Sequence, residues 1–299
     1  MESGKKFTRF LNSDKGLSLL CMPALALMIF FVLFPLLQGI QISLTNWNGY
    51  SQKYSYIGIE NYKRLFTDDM FYTAFKNTLI YGIGSAGIQT ILGLAYALLL
   101  QKNFLGRNFT RTVIYIPVMV SSLVSGYIWY FMVQYDRGAL NDILQLFGFD
   151  KIDWMANGLR AVLIITFING INYVGKTMII FTAGLNAIPA DYYEAAALDG
   201  AGKWTSFQYI TVPQLLPAFT TNIILNLIGG LKLYGLIISL SGGGPGYASH
   251  SLQTLINHMY FSNQNAGYAA AIGVVTFIFI MFISIVVKGA IEKRAGEYN

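Results

Sequence analysis

Apolar residues gather along this chain in six long runs, separated by passages rich in Tyr, Asn, Gly and charged side chains. A bilayer-spanning helix takes about twenty apolar residues, so each run is long enough to cross a membrane. The pattern predicts spans over Leu17–Leu44, Thr73–Leu100, Thr112–Val133, Leu159–Gly184, Gln214–Leu240 and Tyr268–Ala290. Pro23 and Pro35 fall inside the first, where neighbouring helices can re-satisfy the carbonyls that a proline frees. After that span, IENYKRLFTDDMFYTAFKNTLI sets Tyr62, Leu65, Phe66, Phe71 and Phe75 at helical intervals. Such spacing suits a short helix lying at headgroup level, or a docking surface for an external partner. The stretch RGALNDILQLFGFDKIDWM predicts one short helix, whereas the glycines of SGGGPG, closed by Pro245, cannot continue one.

Composition agrees with a membrane protein: 55% of residues are hydrophobic and only 11% charged, where soluble domains carry about one quarter. The net charge of +6 does not point to nucleic acid, because Lys and Arg sit at the ends of apolar runs instead of interleaving with aromatics on one face. At those positions they set orientation. With the amino end inside, inner segments hold eleven basic residues: Lys5, Lys6, Arg9, Lys15, Lys102, Arg107, Arg111, Lys203, Lys288, Lys293 and Arg294. Outer segments hold seven: Lys53, Lys63, Arg64, Lys76, Arg137, Lys151 and Arg160. The first apolar stretch is longer than a secretory signal core and lacks an early small-residue cleavage site, so it reads as an uncleaved span. The expected organisation is a cytoplasmic segment over 1–16 and a single transmembrane domain over 17–299, all-α, with six spans and both termini cytoplasmic.

Chemistry-bearing clusters are scarce. Cys21 is the single cysteine, and His250 and His258 are too few and too isolated for a metal centre, reading as ordinary loop histidines. The glycine run is followed by neither Lys-Ser nor Lys-Thr and is not a phosphate cradle. No catalytic residue, metal or cofactor is therefore expected, and a polytopic membrane enzyme is disfavoured.

The most polar island between two apolar runs is residues 189–213, containing YYEAAALDGAGKWTSFQYITVP. The fixed φ of Pro189 suits a first helical turn, with Asp191 and Glu194 favourable near a helix N-terminus. Tyr193, Ala196 and Ala197 share one face, small enough for close approach. Gly200 and Gly202 end that helix. A second runs from Lys203 to about Val212, with Trp204, Phe207, Ile210 and Thr211 to one side and Pro213 closing it. A helix, a glycine elbow and a second helix suit insertion into a groove on another protein better than mere connection.

This island resembles the EAA motif of ABC-importer permeases: Glu194-Ala195-Ala196, then Gly200, Ile210 and Pro213. Val212 stands where the family pattern has Leu. AGLNAIPADYYEAAALDGAG, SGGGPG and WNGYSQKYSYIGIENYKRLF resemble the carbohydrate-importing, maltose-type branch, so the resemblance covers nearly the whole chain. It implies a type I importer permease in a bacterial or archaeal cell membrane. The implied partners are a second permease, a dimer of cytoplasmic ATPase subunits, an extracytoplasmic sugar-binding protein, a carbohydrate substrate and membrane lipid. It also implies that the island is a coupling helix, with Tyr193, Glu194, Ala195, Ala196, Asp199, Gly200 and Ala201 touching or shaping the ATPase contact, Glu194 as charged anchor and Gly200 as elbow.

Polar residues inside spans are expensive and therefore candidates for function. Asn169, Asn172, Tyr173 and Lys176 share a helical stripe in the fourth span, and Asn222, Asn226, Gly229, Gly230 and Lys232 mark the fifth. Amides, a phenol and a glycine gap fit sugar recognition, although interhelical hydrogen bonds of about 0.6–2 kcal/mol each are an equal explanation for the asparagines. Resemblance to the maltose-type site implies a substrate path through Asn169, Tyr173, Lys176, Asn226, Gly230 and Leu233; Gly230 and Leu233 replace polar residues of the family, and in some importers only one permease grips the sugar. No Asp or Glu lies within a predicted span, so Lys176 and Lys232 have no acidic partner in these runs, and an anionic sugar such as a uronate would suit them. For Lys232 in LKLYG, pairing with carbonyls or with the second permease is the stronger expectation, because the family often carries Lys there. An ion-coupled secondary transporter is the alternative, but intramembrane carboxylates and inverted repeats are not visible.

Overall fold

A computed structural model describes residues 14–296. Residues 1–13 and 297–299, and with them Lys5, Lys6, Arg9 and most of the expected segment 1–16, lie outside the described residues. Among the described residues, strand-like pairing is confined to one antiparallel bridge between Thr45 and Tyr56. Three helices are long and apolar enough to cross a membrane unbroken: Cys21–Ser43, Asp69–Leu99 and Ala266–Ile291. Three further candidates are bent pairs: Arg107–Met119 with Ser122–Val133 at 102°, Gly158–Asn172 with Val174–Asn186 at 43°, and Lys203–Gln214 with Leu216–Leu231 at 64°. Counting each pair once yields the six predicted crossings, but the third, fourth and fifth are not straight rods.

Local chemistry accounts for the differences from the expected boundaries. The second span starts at Asp69, before the predicted Thr73, because Asp68 adopts an extended backbone and accepts a hydrogen bond from the Met70 N–H at 2.9 Å. Phe71 and Phe75 thus belong to the span, and only Glu60–Leu65 forms a separate short helix. In the third span Pro117 precedes an extended Val120, and Ser121 then caps a new helix by accepting from the Val124 N–H at 3.3 Å. The fifth span ends at Leu231, and Gly235–Leu240 is a distinct short helix where a continuous run was expected. It packs on Ser122–Val133 through reciprocal glycine contacts: a Cβ at Gly235 would strike Ser122, and one at Gly126 would strike Ser239. The predicted helix in the outer stretch is present as Ala139–Leu146.

Contacts group the chain into two compact units, one holding the chain up to Phe66 with Met259–Val275, the other holding Thr67–His258 and the chain from Thr276 onward. In the first, Asn61 donates to the Ser43 and Thr45 carbonyls at 2.9 and 2.8 Å, and the Arg64 guanidinium lies 4.1 Å from the Tyr268 ring centre. In the second, Tyr81, Ile165, Ile168 and Ile237 form one buried cluster, and Met178, Phe181, Leu185 and Leu215 another.

Candidate functional site

A polar cavity opens at the break in the fourth span. Tyr173 leaves helical geometry at φ −106°, ψ 8°, and the chain restarts as Val174–Asn186. Gly175 permits that restart to pack closely, since a Cβ there would lie 2.6 Å from the Ile114 carbonyl oxygen. Around the bend opens a cavity of about 440 Å³. Asn169, Tyr173 and Lys176 reach it from the fourth span, Asn226 and Gly229 from Leu216–Leu231, and Lys232 and Leu233 from just beyond that helix. Gln89 of the second span completes the polar wall.

Two residues of the expected stripe go elsewhere. Asn172 is buried and donates to Ser125 Oγ at 2.7 Å, tying the fourth span to Ser122–Val133. Gly230 lies against the second span, where a Cβ would come within 2.6 Å of the Tyr81 carbonyl oxygen and 2.8 Å of Gly82 Cα. Its neighbour Gly229 faces the cavity, so the paired glycines divide between close helix approach and open space. Gln89 was absent from the sequence expectation, although a lone glutamine in GIQTILG is the intramembrane polar signal applied to the other spans.

The residues of the cavity wall combine partly satisfied amides with two lysines. Asn226 Nδ2 donates to Thr177 Oγ1 at 2.9 Å, and Gln89 Nε2 donates to the Asn169 carbonyl at 3.3 Å. Gln89 Oε1 and Asn226 Oδ1 are buried without a protein partner, a situation that costs about 1–3 kcal/mol per group when nothing donates to it. Lys176 is half-buried, with its Nζ 5.9 Å from the Tyr173 ring centre, and Lys232 is exposed. Among the described residues, no carboxylate lies within ion-pair distance of either lysine.

The island folds as Ala190–Leu198 followed by Lys203–Gln214. Pro189 precedes the first helix in an extended conformation, at φ −60° and ψ 139°, and does not occupy its first turn. Gly200 at φ +80° turns the chain: its N–H donates to the Ala197 carbonyl at 3.1 Å, and the Ala201 N–H donates to that of Ala196 at 2.8 Å. This is the Schellman arrangement, which needs the left-handed residue that glycine supplies. Tyr193 Oη and Thr211 Oγ1, 2.9 Å apart, pin the two helices together. Ala196 faces inward and half-buried, while Glu194, Ala195, Leu198 and Asp199 are exposed. Pro213 does not close the second helix; it sits near the start of the segment Val212–Gln214, and the bend follows at Leu215.

The two histidines, far from isolated, meet with ring centres 5.4 Å apart. His250 is buried, shares a hydrogen bond with Thr254 Oγ1 at 2.9 Å, and packs where any Cβ at Gly243 would collide with its ring. Burial, then the neighbouring His258 charge, lowers its pKa from 6.5 to about 4. Among the described residues no three metal-ligating side chains gather.

Sequence and structure comparisons agree on where this chain belongs. It is 31% identical over 268 residues to the trehalose/maltose transport system permease protein MalF of Thermococcus litoralis, covering 90% of each chain. It is 32% identical over 277 residues to the multiple sugar-binding transport system permease protein MsmF of Streptococcus mutans, covering 93% of this chain and 95% of that one. A chain in the crystal structure of a bacterial ABC transporter involved in the import of the acidic polysaccharide alginate superposes with a TM-score of 0.81, over 98% of this chain and 99% of that one; at 20% identity this is a likeness of fold, that of a type I importer permease. The family described as binding-protein-dependent transport system inner membrane component matches residues 89–296, which include both the cavity wall and the helix-elbow-helix island, and this chain belongs to that family.

Proposed function

We propose that this chain is a permease subunit of an ATP-driven, binding-protein-dependent sugar importer in the cell membrane of a bacterium or archaeon. Residues 17–299 act as one transmembrane domain, with both termini and the loop at 189–213 facing the cytoplasm. A second permease completes the path, an ATPase dimer supplies the work, and an extracytoplasmic sugar-binding protein delivers the substrate. The names of the relatives support a carbohydrate, as does a cavity lined by amide side chains and a phenol, groups that match sugar hydroxyls.

The observation that carries the coupling is the exposed helix Ala190–Leu198 closed by the Gly200 elbow. Glu194 and Ala195 present themselves to a partner groove, while Tyr193 and Ala196 brace the helix from behind, and Asp199, Gly200 and Ala201 form the turn. A short helix held this way transmits rigid-body movement, because packed interfaces shift between discrete arrangements. The test is the complex purified with its co-encoded partners and placed in proteoliposomes. Cysteine introduced at Ala195 should crosslink to the ATPase, and uptake of a labelled disaccharide, neutral or uronate-bearing, should stop when the ATPase is inactivated. Uptake that continues with a dead motor would identify an ion-coupled carrier instead.

A further inference from the structure

We infer that the cavity at the fourth-span bend selects a sugar bearing an anionic group, and that Lys176 is the residue that recognises that group. The inference rests on the sugar-import reading and sharpens it to a substrate class. A site for a neutral sugar needs donors and acceptors in balance. This one is walled by the polar side chains of Gln89, Asn169, Tyr173 and Asn226, and adds to them an uncompensated cation. Lysine within a span is costly, and it persists where it faces water, a partner or a ligand. Lys176 meets none of the carboxylates of the described chain, and the Tyr173 ring at 5.9 Å offers only the weak attraction of an aromatic face. Lys232 adds a second positive charge to the same wall. Apolar surroundings focus such a field on whatever occupies the cavity.

The complementary ligand is a polyol whose hydroxyls face the polar wall of Gln89, Asn169, Tyr173 and Asn226 and whose anionic oxygens accept from Lys176 Nζ. Carboxylate and phosphate both supply those oxygens, so the experiment separates them. Binding of three disaccharides is measured on the purified complex without its binding protein: one neutral, one carrying a uronate and one carrying a phosphate. A charged probe should bind at least about tenfold tighter than the neutral one, the size expected of a charge-assisted hydrogen bond. The tighter of the two charged probes identifies the anion. Lys176→Arg should keep the charged-over-neutral preference, Lys176→Gln should erase it, and Lys176→Glu should reverse it, each with complex assembly unchanged.

Equal binding of all three probes, no binding of either charged probe, or an intact preference in Lys176→Gln overturns the inference. The last result would mean that another cation on the wall, such as Lys232, supplies the preference. Each of these results leaves the importer reading untouched, whereas ATPase-independent uptake sinks that reading whatever Lys176 does.

Discussion

At Gly230, a missing side chain lets the fifth span lie directly on the second, and at Gly229 the same absence leaves room in the cavity. Adjacent identical residues thus serve opposite ends, and no periodicity argument could separate them. Asn172 and Tyr173 differ in the same way, one buried against Ser125 and the other on the cavity wall. His250 supplies a prediction at this scale. Its folded pKa of about 4 lies below the ordinary 6.5, so between those values the unfolded chain binds more protons than the folded one. The stabilisation of neutral His250 is complete above pH 6.5 and is lost as pH falls toward 4. Thermal midpoints of the purified complex should drop across that window, and His250→Gln should flatten the drop. A pH profile identical in the two proteins would show that burial of this imidazole contributes nothing. The contact with His258 was not readable beforehand, since an eight-residue separation in a loop fixes no distance.

Among the elements, Ala139–Leu146 owes its position to one side chain. Asn141 is fully buried; its Nδ2 donates to the Tyr135 and Ile152 carbonyls at 3.1 and 3.0 Å, and its Oδ1 accepts from the Ile152 N–H and Trp154 Nε1, both at 3.1 Å. Asn141→Ala would strand several of those partly buried groups, at about 1–3 kcal/mol for each that water does not reach. Hydrogen exchange over residues 135–154 should accelerate markedly, while exchange in the spans stays unchanged; equal protection in the variant would remove Asn141 from this role. The existence of each span was legible because about twenty apolar residues have few alternatives in a bilayer. Their starts were not: the second was placed at Thr73, four residues into a helix that begins at Asp69 behind its Asp68 cap. The bends at Tyr173 and Leu215 were not, because hydropathy averages over a window and is blind to a single residue that leaves helical geometry.

For the whole molecule, the question is how motion at the island reaches the cavity. Gly200 is the point to perturb. Nothing lies within 4 Å of a Cβ built there, so a substitution meets strain from its φ of +80° and no steric collision. Gly200→Val should cost about 1–2 kcal/mol locally and leave helix content intact. In proteoliposomes it should lower sugar molecules moved per ATP hydrolysed several-fold. An unchanged ratio would refute the elbow as part of the drive train.

What the amino-acid order determined alone was the membrane class, the six crossings and the helix-elbow-helix island, because hydrophobic length, caps and glycine act within a few residues of themselves. The island's two helices and glycine turn were legible for the same reason, although Pro189 and Pro213 took places other than those expected. Only tertiary structure decided which polar residues share a wall. It brought in Gln89 from a distant run, removed Asn172 and Gly230, and joined His250 to His258. Those pairings depend on where backbones bend and which faces then meet, and that is settled by packing between spans far apart in the chain.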